Sequence, residues 1–93
     1  MFKTNTYFED KVISIAFENE EGKATVGVMA PGTYTFGTTT VEFMTVISGS
    51  MEVQLKGASD WKTYNPYETF KVAADSSFDV KVVSDTSYKC VYK

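Results

Sequence analysis

A short run of polar residues before an apolar stretch carries the side chains that could do chemistry. Thr38 and Thr40 come just before Glu42, and Gly49 follows after six further residues. Glu42 is the only carboxylate in the largely apolar residues 41–47, and a carboxylate in such a place can stabilise a developing positive charge. Threonine is a poor ligand for zinc, iron or manganese, so these residues do not make a transition-metal site.

The elements that must hold these residues are short β-strands. Apolar and polar residues alternate with a period of two along most of the chain, and turn-forming clusters separate the runs. No segment keeps the spacing of an amphipathic helix beyond one turn. We predict eight or nine strands, at residues 11–17, 23–29, 33–36, 41–47, 51–55, 61–64, 68–74, 77–83 and 87–93.

The alternation also predicts which side chains face the interior, because successive residues of a strand point to opposite faces. In three of the later strands one set of alternating positions is mostly apolar. We expect these positions to point inward: Met51, Val53, Leu55, Phe78, Val80, Val82, Tyr88, Cys90 and Tyr92. Many short strands joined by tight turns predict a sandwich or barrel, here one all-β domain over residues 1–93.

Composition excludes several classes of function. The net charge is −3, and the chain has no arginine and no histidine, which is a poor footprint for binding a nucleic acid polymer. No apolar run approaches the roughly 18 residues of a membrane span. Cys90 is the single cysteine and cannot form a disulfide within the chain. We therefore expect a protein of the reducing cytoplasm, without a membrane or a nucleic acid partner.

The spacing of residues 32–49 resembles the first sequence motif of cupin barrels. In that motif histidines that bind metal usually stand where this chain has Thr38 and Thr40, and the histidine of the second motif falls on Phe78. The resemblance implies a cupin-like β-barrel of jelly-roll type, but without the metal. A metal-dependent cupin dioxygenase or isomerase is disfavoured because Glu42 alone cannot fill a coordination sphere.

A more specific resemblance covers residues 7–92. The stretches ATVGVM, GTYTF, EFMTVISG, DWKTY and TSYKCVYK occur in this order. Together they resemble the small pyrimidine/purine nucleoside phosphorylase family, which consists of single-domain cupin-like proteins of about this length. Two positions depart from the family: Tyr67 stands where it usually has glycine, and Ala73 where it usually has proline. Both departures concern the local backbone of one strand and its turn.

The resemblance implies phosphorolysis, in which phosphate attacks the anomeric carbon of a nucleoside and gives free base and ribose 1-phosphate. Such a reaction needs a group that stabilises the sugar cation, donors that hold phosphate in line, and a site for the leaving base. A broad range of purine and pyrimidine nucleosides would follow if the base stacks on an aromatic ring. Inorganic phosphate is then a co-substrate, and no cofactor is expected.

We assign the catalytic role to Glu42, whose alternative is a glutamate at a strand edge or a dimer face. Without an arginine, the phosphate donors are expected among Thr39 and other hydroxyls, backbone N–H groups at glycines, or a lysine. Most aromatic residues of a small barrel belong to its core, so only one or two would contact the base. The predicted substrate-binding residues are Thr38, Thr40, Ser48, Tyr34, Phe36 and Met44.

Two further expectations concern partners. The implied partners are nucleosides and phosphate, and a second copy of the chain in a homodimer joined through exposed strand edges. The rival hypothesis is a non-catalytic cupin-like module that binds a small metabolite or a sugar without turning it over.

Overall fold

The computed structural model describes residues 2–93 and shows ten β-strands. Runs of β-branched and aromatic residues favour these strands, and turns containing glycine, asparagine or serine separate them. In chain order the strands are β1 (Lys3–Tyr7), β2 (Val12–Asn19), β3 (Gly22–Met29), β4 (Gly32–Gly37), β5 (Glu42–Ser48), β6 (Met51–Leu55), β7 (Lys62–Tyr64), β8 (Thr69–Val72), β9 (Ser77–Val82) and β10 (Thr86–Tyr92). Within residues 2–93 there is no helix long and apolar enough to cross a membrane.

The strands form two antiparallel sheets with the core between them. The strand order is β1-β2-β3-β10-β5-β8 in the six-stranded sheet and β4-β9-β6-β7 in the four-stranded sheet. The prediction of an all-β fold is confirmed. The predicted cupin-like β-barrel of jelly-roll type is confirmed only in this coarser form, because in the described part of the chain no ladder joins the edge strands of one sheet to those of the other and the barrel is not closed.

One hydrophobic core holds the two sheets together. Val46 and Val80 are fully buried and come from opposite sheets, and the thioether side chains of Met29 and Met51 fill space between them. A chain of aromatic contacts crosses the same core, with ring centroids 5.8 Å apart for Phe70 and Phe78. Because burying a large apolar side chain stabilises a fold by about 1.5–3 kcal/mol, this shared core is what joins the sheets.

Most of the side chains predicted to face inward are buried. Two side chains differ clearly from the prediction, one at the end of a strand and one between two neighbouring strands. Leu55 is 39% exposed because it is the last residue of β6, where the chain leaves the sheet. Val91, expected to face outward, is only 6% exposed. It lies beside Ala24 and Phe43 on the two adjacent strands, which cover it with apolar surface on the outer face of the sheet.

Tyr67 adopts a backbone conformation that suits glycine. Its φ is 70°, and its amide N–H donates to the carbonyl oxygen of Val46 at 2.7 Å, which fixes the turn before β8. A residue with a Cβ pays roughly 1–2 kcal/mol in this left-handed region, whereas glycine does not. The position where the family usually has glycine is therefore a strained position in this chain.

Replacing Tyr67 by glycine is expected to raise the free energy of unfolding by about 0.5–1 kcal/mol, because the relieved strain exceeds the extra entropy of the unfolded chain. The side chain is 79% exposed, so little packing is lost. Guanidinium unfolding monitored by circular dichroism measures the change. Tyr67→Ala removes the ring but keeps the strain and should show no gain; an equal gain in both variants would contradict the explanation.

Candidate functional site between the two sheets

A cavity of ≈ 260 Å³ lies between the six-stranded and the four-stranded sheet. Glu42 lines it together with side chains from β2, β4, β9 and β10. The volume corresponds to roughly nine water molecules at about 30 Å³ each, which is room for a ribose ring or a pyrimidine base. The cavity is therefore large enough to hold at least one ring of a small metabolite.

Strand pairing explains how Glu42 comes to face this cavity. Glu42 and Met44 are two residues apart on β5 and share one face of the sheet. They lie opposite Tyr92 and Cys90 of the neighbouring strand β10 in the antiparallel register. The same alternation along β10 also turns Tyr88 inward, so that one acid and three weakly acidic side chains meet on the same face.

Gly27 makes room for Tyr88 in the floor of the cavity. It pairs with Tyr88 of β10 on one side and with Ser14 of β2 on the other. A Cβ at position 27 would lie 2.6 Å from the Tyr88 hydroxyl oxygen and 2.8 Å from the backbone oxygen of Ile13. The absence of a side chain at Gly27 therefore allows the Tyr88 ring to lie across β3 beside the buried Ser14 hydroxyl.

Glu42 is the charged group of the cavity. Burial raises the pKa of its carboxyl above the usual value, and a hydrogen bond donated by the Cys90 thiol to Oε1, 3.5 Å long, opposes part of this effect. None of the residues that line the cavity is a lysine. A carboxylate held in a poorly solvated site without a cation is free to interact with positive charge on a substrate.

The three weak acids around Glu42 are held in their neutral forms. Burial, as the largest cause, raises the pKa of Tyr88 to about 12 and raises the pKa values of Cys90 and Tyr92 above their usual ranges. The Tyr92 hydroxyl also lies 3.1 Å from Oγ1 of Thr25, so it is hydrogen-bonded. Cys90 is therefore a buried thiol and not a thiolate nucleophile.

These shifts predict a loss of stability at alkaline pH. The unfolded chain releases protons above pH 9.0 from Cys90 and above pH 10.0 from Tyr88 and Tyr92, while the folded chain keeps them. Because the folded state then binds more protons, the free energy of unfolding falls as pH rises, by up to about 1.4 kcal/mol per pH unit for each group. Urea unfolding between pH 8 and 11 measures it. Tyr92→Phe should show a shallower fall above pH 10; an unchanged slope would contradict the assignment.

Aromatic residues close the mouth of the cavity. Phe8 precedes β2 in a turn where Phe8, Glu9 and Asp10 all have positive φ, at 53°, 57° and 68°. The turn brings the Phe8 ring to 5.5 Å from the ring of Phe36, edge to face, and Phe36 stacks on Phe78 at 5.6 Å. A base placed at this mouth would meet ring faces and edges, which stack on purines and pyrimidines alike.

The structure brings three of the predicted site residues together: Glu42, Met44 and Phe36 all line the cavity. Tyr34 lies outside this lining. It belongs to the core at 4% exposure, packs against Phe8 at 5.0 Å, and donates its hydroxyl to the backbone oxygen of Ala30 at 2.6 Å. Its position supports Phe8 at the mouth, so its contact with a substrate would be indirect.

The predicted hydroxyl donors are not grouped around Glu42. The Thr38 hydroxyl donates to the backbone oxygen of Ala73 at 2.7 Å and accepts from the N–H of Ser76 at 2.9 Å, which ties two loops together. Thr40 lines a second groove beside the cavity. Ser48 is exposed at the other end of β5 from Glu42, about 20 Å away by the rise of a strand.

Sequence reasoning missed the contribution of Ser14 to the site. The residue is 3% exposed and lines the cavity. The sequence did contain an indication, because Ser14 is a polar residue at an inward position between Val12 and Ala16. Tyr88 and Tyr92 were predicted to face inward, but nothing in the local sequence indicated that they would meet Glu42.

The donor set of the cavity is unsuited to a transition metal. Among residues 2–93 no group of three or more histidine, cysteine, aspartate or glutamate side chains is placed to hold an ion. Glu42 and Cys90 are the two candidate ligands in the cavity, and the thiol is held protonated by burial. Independence from metal stays a prediction.

The fold places the chain in a structural class that is broader than a sequence family. The two-sheet antiparallel fold is shared with FeII HppE, which superimposes with a TM-score of 0.80 at 9% identity, over 99% of this chain and 56% of that one. This likeness shows the fold alone. The chain belongs to the pyrimidine/purine nucleoside phosphorylase family, whose model matches residues 2–92.

Individual relatives agree with this membership. The chain is 56% identical to a pyrimidine/purine nucleoside phosphorylase of Pseudomonas putida (strain W619), over 100% of this chain and 99% of the relative. A crystal structure from Vibrio parahaemolyticus, described as a protein of unknown function, superimposes with a TM-score of 0.94 at 45% identity and covers 100% of this chain and 99% of that chain. Sequence and fold therefore agree over the full length.

Proposed function

We propose that the chain is a nucleoside phosphorylase of broad range that works without a metal and binds the sugar of its substrate at Glu42. The observation that carries the proposal is the half-buried acid in a cavity the size of a pentose, in a chain whose curated relatives at 50–56% identity are named pyrimidine/purine nucleoside phosphorylase. Glu42 hydrogen-bonds the ribose hydroxyls and, when ionised, stabilises positive charge on the ring. The glycosyl transfer class follows from this reaction.

The proposed reaction replaces one bond at C1′ of the ribose by another. A phosphate oxygen forms a bond to C1′ of the ribose while the bond between C1′ and the base nitrogen breaks. The bonding electron pair leaves with the base, which gains the proton of the hydrogen phosphate relayed through water, and the products are free base and the ribose 1-phosphate dianion. The protein lowers the barrier by holding the reactants in line and by placing a negative charge beside the sugar cation.

The base is expected at the aromatic mouth of the cavity. Phe36 lines the cavity and Phe8 stands beside it with 43% of its surface exposed. Stacking on these rings does not depend on the pattern of donors and acceptors of a base, which supports a range that includes both purines and pyrimidines.

Phosphate-dependent release of base tests the proposed function. Uridine and adenosine, incubated with chelator-treated protein, should yield uracil and adenine only when inorganic phosphate is present, as measured by chromatography. Ribose 1-phosphate should accumulate in equal amount. A nucleoside-dependent rise in melting temperature without any base release would instead indicate the non-catalytic binding module, and activity that requires added metal would contradict the metal-free mechanism.

We also propose that the chain is a homodimer of the cytoplasm. A contiguous patch on the outer face of the six-stranded sheet supports the dimer: Ile13 pairs with Val28 and Ile15 with Val26, and all four side chains are 42–51% exposed. We propose this apolar face of β2 and β3 as the contact, in place of the strand edges expected from the sequence. The buried free thiol of Cys90 suits a reducing compartment.

Sedimentation of Ile15→Lys tests the dimer. A lysine in the centre of the patch should convert the protein to a monomer, because its ammonium would have to be buried without a partner. Ile47→Lys, a similarly exposed isoleucine at 38%, is the matched control and should leave the dimer intact. A monomeric parent protein, or equal effects of both variants, would contradict the proposal.

A further inference from the structure

A second and larger groove, ≈ 640 Å³, lies next to the Glu42 cavity. Lys3, Lys23, Thr39 and Thr40 all line it. Tyr92 lines both the groove and the cavity, and its hydroxyl is hydrogen-bonded to Thr25, which also lines the groove. The two spaces are therefore neighbours on either side of a single side chain.

The strand register places the groove on the face that carries the cavity. Lys3 of β1 pairs with Ala16 of β2, and Ala16 pairs with Thr25 of β3. Lys23 is two residues before Thr25 on β3, so both point to the same side of the sheet. Thr39 and Thr40 belong to the loop between β4 and β5, which leads directly into Glu42. The groove thus continues the inner face of the sheet beyond the cavity.

The charge of the groove differs from that of the cavity. The cavity has Glu42 and no lysine among its lining residues, whereas the groove has two lysines and one carboxylate, Glu18. Glu18 lies opposite Lys23 in the β2–β3 register, but within residues 2–93 the ammonium groups of Lys3 and Lys23 form no ion pair with a carboxylate. Two free ammonium groups remain beside the cavity.

Resting on the proposed function, we infer that this groove is the phosphate site: Lys3 and Lys23 neutralise inorganic phosphate, and the Thr39 and Thr40 hydroxyls donate hydrogen bonds to it. The sugar then occupies the cavity with C1′ turned toward Tyr92, and a phosphate oxygen reaches C1′ past this side chain. Charge-assisted contacts from lysine and hydroxyl donors are typical of phosphate sites that lack arginine.

The alternative of phosphate inside the cavity is unfavourable. A phosphate dianion there would lie close to the Glu42 carboxylate and would lose its hydration without gaining a cation. In the groove, the same dianion stays partly solvated and meets two positive charges. Separate places for the acid and the oxyanion allow Glu42 to face the sugar cation while phosphate approaches from the other side of Tyr92.

Steady-state kinetics with Lys23→Gln test the inference. The variant should raise the KM for phosphate by about tenfold or more, because a charge-assisted contact is lost, and leave the KM for uridine unchanged. Lys56→Gln changes the net charge equally at an exposed position outside the groove and should have no effect. Glu18→Gln should lower the KM for phosphate by severalfold, because it removes the opposing charge. Equal KM values in Lys23→Gln and Lys56→Gln would overturn the inference.

Direct binding separates this inference from the proposed function. Titration of the parent protein with inorganic phosphate, followed by ³¹P NMR line broadening, should show binding that Lys23→Gln weakens by about tenfold and Lys56→Gln does not. That result supports the site even if no nucleoside is cleaved. Binding that Glu42→Gln strengthens and Lys23→Gln leaves unchanged would place phosphate in the cavity, because Glu42→Gln removes a like charge there. Binding of uridine monophosphate without binding of inorganic phosphate would identify a nucleotide site instead. Either result overturns the inference.

Discussion

Glu42→Gln is expected to lower kcat/KM for phosphorolysis by about 10²–10³-fold, the usual effect of removing one electrostatic contact with a transition state. Glutamine keeps the shape and a hydrogen-bonding oxygen but cannot offer a negative charge to the sugar cation. The loss should appear mainly in kcat, because the charge matters most when the cation develops. Initial rates of uracil release at saturating phosphate measure it.

The matched control for this variant is Glu52→Gln. Glu52 is a half-exposed carboxylate on β6, 4.0 Å from Nζ of Lys81, and does not line the cavity. Its removal should change kcat/KM by less than twofold, since a surface ion pair contributes little. Unchanged turnover in Glu42→Gln would remove Glu42 from the mechanism.

The free energy of unfolding is a second measurement on Glu42→Gln. The variant is expected to lose activity but to gain stability at neutral pH. Because the folded protein raises the pKa of Glu42, it holds the proton more tightly than the unfolded chain does. The free energy of unfolding therefore falls as pH rises from the usual value of 4.5 through the raised pKa. Glu42→Gln lacks this fall and should be the more stable protein at neutral pH. A variant less stable than the parent at pH 7 would contradict the burial effect.

Gly27→Ala is expected to lower the free energy of unfolding by about 1–3 kcal/mol or more, as for overpacking of a core. The new methyl would lie 2.8 Å or less from the Tyr88 ring and from the Ile13 backbone oxygen. The backbone of a paired strand cannot move away as the end of a flexible side chain can. For a chain of this size the melting temperature should fall by about 4–8 °C per kcal/mol. Calorimetry measures the shift, and activity should fall as Tyr88 is displaced toward Glu42.

Two variants test the cause of this loss. Gly37→Ala adds the same methyl where the nearest atom is 4.0 Å away, and should melt within a few degrees of the parent. Tyr88→Ala in the Gly27→Ala background removes one of the two clashes, so the double variant should lose less than the sum of the single losses. Additive losses, or a Gly27→Ala protein that melts like the parent, would show that the contact is absent.

Local pattern predicted the strands and the position of the acid. Period-two alternation placed Glu42 and Met44 on one face, and that face does line the cavity. It did not predict β1, because KTNTY has no apolar alternation and becomes a strand only through its ladder with β2. The order of strands is also nonlocal: β10 lies between β3 and β5, and this alone brings Tyr92 beside both Glu42 and the groove.

The threonines show why a motif position does not fix a role. Thr38 has the spacing of a ligand, yet the loop before β9 supplies a backbone oxygen and a backbone N–H that occupy its hydroxyl. No property of the residues around Thr38 indicates which distant loop will contact it. Tyr67 is the opposite case, since its departure from the family pointed to the local backbone, and the structure shows a left-handed φ of 70° there.

The gap between the edge strands of the two sheets bears on how a ligand could enter the cavity. Tyr7 and Phe8 on one side and Phe36 and Gly37 on the other line the cavity, yet within residues 2–93 no ladder connects β1 to β4. In a barrel with a continuous ring of hydrogen bonds, dilation would break backbone pairs that each contribute about 1 kcal/mol. Here no strand pair spans the gap, so widening it would cost side-chain packing and leave every strand pair intact.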